Sequence, residues 1–317
     1  MTSTAIAIVA AFLLTAISMR FLLPSLIKFK FGQQIREDGP AHHLEKQGTP
    51  TMGGIAIVFG FFVAALFFAW DSPEVMAVML TTAGFGIIGF MDDFIKIKKK
   101  RSLGLRAYQK IIAQLLISIA FVMFWQSLPS YQTEILIPFV LVTIDIGPFF
   151  PFLVCLVFLS SANGANLTDG LDGLASGVTV IIALFFLAMA VWAFNSPIAP
   201  AIGAMTGALL GFLLYNSHPA KVYMGDTGSL ALGGFVAAVA LLMGMPLFLI
   251  IVAVIYVIES LSVIIQVGYF KLTKGKRFFK MAPIHHSFEL NGWPETKIVA
   301  LFMIITAIAC IIALIGF

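Results

Sequence analysis

The sequence predicts an all-α, polytopic membrane protein of about ten transmembrane helices with both termini outside the cell. Three observations predict it. Hydrophobic residues make up 60% of the 317-residue chain and charged residues 11%, with a mean hydropathy of +1.03, whereas a soluble protein is about a quarter charged. The apolar residues fall into runs long enough to cross a bilayer as helices, which takes roughly 20 residues. All 19 Lys and Arg gather in clusters separated by connections that carry none.

The apolar runs lie at about 3–27, 53–70, 75–95, 105–126, 149–167, 174–194, 198–215, 228–244, 246–270 and 297–317. The boundary between the eighth and ninth rests only on Gly244, Met245 and Pro246. No Lys or Arg precedes the first run, so it reads as a retained span rather than a cleaved signal. Cys155 and Cys310 lie inside apolar runs and read as buried thiols, not as a disulfide or metal pair. The whole chain, 1–317, is expected to form one integral-membrane domain.

Basic residues orient the bundle. They occur at Arg20, at 28–46, at 96–110, at Lys221 and at 271–297, while the connections at 71–74, 127–148, 195–200 and 244–246 have none. Under the positive-inside rule, ten spans satisfy this alternation; one more or one fewer would put basic loops on the wrong face. The net charge of +4 is therefore a topology signal and gives no reason to expect a nucleic-acid partner. The outer connection 132–149 alternates β-branched and apolar residues around Pro138, which predicts a short extracellular β-hairpin near 132–148.

Acidic residues mark the chemistry. Asp169 and Asp172 interrupt two apolar runs, three residues apart and flanked by Gly170 and Gly173. That spacing points both carboxylates the same way on a helical turn, and carboxylates in a membrane-embedded chain read as functional by default. A solvated turn needs only one such residue. Asp92, Asp93 and Asp226 also fall at the cytoplasmic ends of spans. Five carboxylates on one face suit a hard cation such as magnesium, or a division of labour between metal binding and proton transfer. A channel or transporter would spread its acids along the pore. Apart from Glu259, these cluster at one face, which favours an enzyme.

Around the acids lie groups suited to a phosphorylated substrate. Lys96 and Lys110 stand where a phosphate would dock, although a basic run beside a membrane is usually only a topology determinant. Asp226, between Gly225 and Thr227, has neighbouring N–H groups that suit a phosphate; Tyr223 could stack on a base and Asn216 hydrogen-bond it. Lys46 is a candidate phosphate contact, while His42 and His43 read equally well as surface residues. His285 and His286, beside basic residues and without nearby cysteines, suit a diphosphate better than zinc. Glu259 either faces the cavity or makes a helix-packing hydrogen bond.

Five stretches, taken in order, are more specific than any one of them: IREDGPAHHLEKQGTPTMGG (35–54), GFMDDFIK (89–96), NLTDGLDGLA (166–175), NSHPAKVYMGDTGSLALGG (216–234) and APIHHSFELNGWPE (282–295). Together they resemble the polyprenyl-phosphate N-acetylhexosamine-1-phosphate transferase superfamily and, within it, the phospho-N-acetylmuramoyl-pentapeptide transferases. The resemblance covers essentially the whole chain. It implies transfer of phospho-MurNAc-pentapeptide from UDP-MurNAc-pentapeptide to undecaprenyl phosphate, giving lipid I and UMP. It also implies Mg2+, a cytoplasmic-facing site in the bacterial plasma membrane, and a homodimer. A relative that transfers another UDP-N-acetylhexosamine 1-phosphate is the alternative.

By that resemblance Asp226 is the magnesium ligand, with Asp92 and Asp169 in the metal region. Asp92, Asp93, Asp226 and His285 are catalytic. Asn166, Asp169 and Asp172 line the nucleotide region, and Asn216 and Tyr223 belong to the uridine pocket, where many members carry Phe at the latter position. Lys46, Lys110, His285 and His286 serve the diphosphate or the lipid phosphate. Ser287 departs from the pattern, which usually has a third histidine there.

Overall fold

The structure, a computed structural model, describes residues 1–28, 48–99, 101 and 103–317. Within these the chain forms α1 (Thr2–Lys28), α2 (Gly54–Ala69), α3 (Pro73–Lys99), α4 (Ala107–Gln126), β1 (Glu134–Leu136), β2 (Thr143–Asp145), α5 (Phe150–Thr168), α6 (Leu174–Ala188), α7 (Ala199–Asn216), α8 (Gly225–Leu242), α9 (Leu249–Val252), α10 (Val254–Leu272), α11 (Ile284–Glu289) and α12 (Glu295–Ile315). Among the described residues nine helices are long and apolar enough to cross a membrane, and α2 is a shorter apolar helix. A helix closes its own backbone hydrogen bonds, and lipid offers no replacement for them.

The core is organised around α8, buried from Thr227 through Leu241 and packed against α2, α3, α5 and α6. Small residues let the backbones approach, as expected where apolar burial gives no driving force between helices. A Cβ on Gly233 would strike the backbone of Ala162 in α5, and one on Gly207 of α7 would strike Ile8 of α1.

Both chain ends lie at one end of the bundle. Thr4 packs on Gly203 near the start of α7, and the Phe317 ring lies 5.7 Å from Phe194, just before that helix. The β-hairpin is there too: β1 and β2 pair antiparallel, Glu134 opposite Asp145. Leu136 N–H donates to Gly244 O at 2.7 Å, and Phe139 N–H to Gly316 O at 2.8 Å. The hairpin and the common side of the termini agree with the sequence expectation.

Two spans differ from expectation. The run 246–270 is interrupted: a 3₁₀ turn (Pro246–Phe248) leads into α9, and the backbone bends at Ala253 (φ −100°, ψ 32°) before α10. The run 53–70 yields only the 16 residues of α2, about 24 Å at 1.5 Å per residue, less than a ~30 Å hydrocarbon core. Its entry is occupied otherwise. Gly53 and Gly54 N–H donate to the carbonyls of Tyr223 and Met224, both at 2.9 Å, and Tyr223 N–H donates to Pro50 O at 2.9 Å. The start of α2 thus holds the segment leading into α8.

Candidate active site

At the other end of the bundle the N-terminus of α8 meets the C-terminal part of α3. The first N–H groups of a helix lack intrahelical partners, and here Asp93 of α3 supplies acceptors. Its Oδ1 accepts the Asp226 N–H at 3.2 Å; its Oδ2 accepts the Thr227 N–H at 2.9 Å and the Thr227 hydroxyl at 2.7 Å. Gly89, one turn back on α3, makes the approach possible, since a Cβ there would collide with the Asp226 carbonyl. Gly225 enters α8 with φ +70°, and a Cβ there would meet the Asp93 carboxylate.

Asp92, Asp93 and Asp226 offer carboxylate oxygens that all lie within 4.8 Å of one another. Two lysines gather them. Lys96 Nζ lies 2.6 Å from Asp92, 3.2 Å from Asp226 and 3.8 Å from Asp93. Lys110 Nζ, from the first turn of α4, donates to Asp226 Oδ2 and lies 3.4 Å from Asp92. Asp92 is 1% exposed. Its Oδ1 accepts the Leu105 N–H at 2.8 Å, and the bare Cα of Gly104 packs on its carboxylate. Arg101 shapes that loop by donating to the carbonyls of Leu103 (2.7 Å) and Gly104 (3.4 Å).

The third wall comes from the end of α5. Asn166 Nδ2 donates to Asp226 Oδ1 at 3.1 Å and to Ser229 Oγ at 2.8 Å. Asp169 stands just beyond that helix end. It is outside the group of three mutually close carboxylates yet near enough to feel them. Burial, then the charges of Asp226 and Asp93, hold its carboxyl well above the usual range.

Asp172 faces a different neighbourhood. Its Oδ2 accepts the Ala220 N–H at 3.0 Å and lies 3.0 Å from His218 Nδ1, while its own N–H donates to Glu295 of α12. Asn216 is buried and turned inward: its Nδ2 donates to Val222 O at 3.0 Å, and its Oδ1 accepts the Ser176 hydroxyl at 3.1 Å. It shapes the 216–224 turn. Tyr223 is half-buried, and burial together with the charges of Asp172 and Glu295 raises its phenol above the ordinary value.

His285 and His286 form a chain of their own. His285 Nδ1 lies 3.0 Å from Glu259 Oε1, its Nε2 lies 3.2 Å from His286 Nε2, and His286 Nδ1 lies 2.7 Å from Glu289. Glu259 also accepts the Ile284 N–H at 2.9 Å, so this intramembrane acid holds the histidine segment and does not stand free. The pair reaches the NLTDGLDG loop, because the His285 ring rests on Gly170. Lys46, His42 and His43 lie outside the described residues.

Among the sequence-predicted residues, Asp92, Asp93, Asp226, Lys110 and Asn166 therefore meet directly. Asp169 and His285 border them through the 166–173 loop, and Asp172, Asn216 and Tyr223 form an adjoining group. Thr227, Ser229, His218 and Glu295 carried no assigned role in the sequence. Thr227 was the most findable, since a hydroxyl beside an acid at a helix start is a capping signal.

The donor set suits a hard cation. It consists of carboxylate oxygens, preferred by magnesium over nitrogen or sulfur. Asp92 Oδ2 is buried and faces the Lys96 ammonium at 2.6 Å. Three carboxylates against two ammonium groups leave negative charge for a cation to neutralise, and both lysines are close enough to serve a phosphate as well.

Comparison with known proteins agrees with this geometry. Residues 75–244 match the family model described as glycosyl transferase family 4, and residues 46–58 match the phospho-N-acetylmuramoyl-pentapeptide-transferase signature 1. The chain is 49% identical over 307 residues to the phospho-N-acetylmuramoyl-pentapeptide-transferase of Clostridioides difficile, covering 96% of this chain and 95% of the relative. It is 52% identical over 295 residues to that of Clostridium botulinum, covering 93% and 90%, and 49% identical over 304 residues to that of Caldanaerobacter subterraneus, covering 96% and 95%. Sustained over nearly the full length of each relative, this similarity shows that the chain is a multi-pass membrane enzyme belonging to the phospho-N-acetylmuramoyl-pentapeptide transferase family.

Proposed function

We propose that the chain, acting over residues 1–317 as one integral-membrane transferase, moves phospho-MurNAc-pentapeptide from UDP-MurNAc-pentapeptide to undecaprenyl phosphate. The products are lipid I, left in the bilayer, and UMP. The observation that carries this is the convergence of Asp92, Asp93 and Asp226 with Lys96 and Lys110 at the end of the bundle opposite the chain termini. The basic connections mark that end as cytoplasmic, where a water-soluble nucleotide-sugar meets a lipid phosphate.

The chemistry joins two anions. An oxygen of the lipid phosphate forms a bond to the sugar-linked phosphorus, and the bond from that phosphorus to the UMP oxygen breaks. The electron pair leaves with UMP. A phosphate monoester is already largely ionised near neutrality, with a second pKa of about 6, so direct attack requires no strong base. Lys110 and Lys96 screen the repulsion between the reacting phosphates and stabilise charge on the leaving group. Asp226 and Asp92 would hold magnesium, with Asp169 completing the acidic surroundings; when bound, the ion supplies further neutralisation of the diphosphate oxygens.

Asp93 has a different part. Both of its oxygens are engaged by the start of α8, so it presents Asp226 and does not need to take up a proton. His285, fixed by Glu259 and resting on Gly170, supports the loop that carries Asp169 and Asp172 and stands beside the diphosphate. Tyr223 and Asn216 shape the uridine pocket. His286 and Lys46 serve the phosphates. As in the family, the enzyme works as a homodimer.

Purified protein supplied with both substrates should release UMP and form lipid I only when Mg2+ is present. Release that does not require the lipid acceptor, or that proceeds unchanged in chelator, would overturn the assignment.

A further inference from the structure

Three segments far apart in sequence are fastened at one point beside the proposed uridine pocket. Asp172, with a side chain 2% exposed, and Glu295, 7% exposed, converge on His218 Nδ1 at 3.0 and 3.5 Å. Glu295 Oε1 accepts the Asp172 N–H, and Asp172 Oδ2 accepts the Ala220 N–H. A carboxylate only accepts, so Nδ1 of His218 carries the hydrogen and donates. The imidazole side chain is itself 43% exposed.

We propose that His218 is a positioning residue for the nucleotide end of the substrate: it ties the Tyr223-bearing turn to the Asp169–Asp172 loop and to the start of α12. This rests on the uridine pocket proposed above. The fold of the turn does not depend on the imidazole. Lys221 N–H donates to Tyr215 O at 2.8 Å and Tyr223 N–H to Pro50 O at 2.9 Å, while Asn216 Nδ2 holds Val222 O. What His218 adds is the registration of that turn against two buried carboxylates. Losing it leaves the turn formed and held to Asp172 only by the Ala220 N–H, with its tie to Glu295 gone, a change felt in binding the nucleotide and not in phosphoryl transfer.

The test uses the full-length protein in detergent or nanodiscs. His218→Ala should raise KM for UDP-MurNAc-pentapeptide about tenfold, the loss of roughly one hydrogen bond to a charged group. The kcat should stay within about twofold, and KM for undecaprenyl phosphate should not change. His218→Phe, which keeps ring volume but removes the donor, should behave like His218→Ala. His218→Asn, whose Nδ2 stands near the position of Nδ1, should recover most of the affinity. Adding Glu295→Gln to His218→Ala should cost little more than His218→Ala alone. An unchanged nucleotide KM in both His218→Ala and His218→Phe, or equal loss toward both substrates, would overturn the positioning role. UMP release by the wild-type protein, measured first, separates the two levels: its absence defeats the proposed function, whereas normal release with insensitive variants defeats only the role of His218.

Discussion

The Asp93 carboxylate on α3 caps the helix whose first turn carries Asp226, accepting the backbone N–H of Asp226 at 3.2 Å and that of Thr227 at 2.9 Å. Two adjacent acids, Asp92 and Asp93, are thereby given separate tasks. One faces the lysines; the other fixes the position of the acid they share. Asp93→Ala leaves buried N–H groups without an acceptor, at a cost of about 1–3 kcal/mol, and should lower both thermal stability and turnover. Asp93→Asn keeps one acceptor oxygen and should lose less of each. Full activity in Asp93→Ala would show that the cap is dispensable.

Asp226→Asn keeps the shape of the residue and removes its charge. Turnover should fall at least about a thousandfold, as expected when electrostatic stabilisation of a phosphoryl transfer is lost, while the melting temperature stays close to wild type. UMP release at increasing Mg2+ is the measurement; partial recovery at high Mg2+ is the mark of a weakened ligand, whereas wild-type turnover at ordinary Mg2+ would remove Asp226 from the mechanism.

Lys110→Met removes the ammonium group that Asp92 and Asp226 share. The two carboxylates then repel each other more strongly and a phosphate loses a partner. A fall in kcat/KM of about a hundredfold is expected, or about 2.7 kcal/mol at 1.36 kcal/mol per decade. Initial rates over both substrates measure it; a change confined to one KM would place Lys110 in binding alone.

Gly89→Ala inserts a methyl group where α3 meets the Asp226 carbonyl. Overpacking of this kind costs about 1–3 kcal/mol, and here the displaced group belongs to the site. Activity should fall together with stability, although residue 89 touches no proposed substrate. Gly268→Ala, where a Cβ has open space among the described residues, is the matched control and should leave activity unchanged.

The bundle was legible because lipid imposes a simple code. Apolar runs between basic clusters located the spans, and the β-branched alternation around Pro138 located the hairpin. The shortness of α2 was not legible: its entry is set by bonds to Tyr223 and Met224, formed only in the folded chain. The bend at Ala253 follows no local proline or glycine. In the site, residue types and their common face were readable, and so the convergence of Asp92 and Asp226 was too. The division between Asp92 and Asp93 was not, since neighbouring positions on one helix differ only in which tertiary partner they meet. The same limit hid His218 and Glu295, whose meaning comes from meeting Asp172 and each other.

The claim on which the rest depends is that one divalent ion sits among Asp226 and its neighbouring carboxylates. Anomalous diffraction from crystals grown with Mn2+ and a uridine diphosphate ligand measures this directly. A peak within about 2.3 Å of an Asp226 carboxylate oxygen is the expected result. A peak instead at the Asp172, His218 and Glu295 group, the other cluster among the described residues with ligand atoms close enough to hold an ion, with nothing at Asp226, would contradict it.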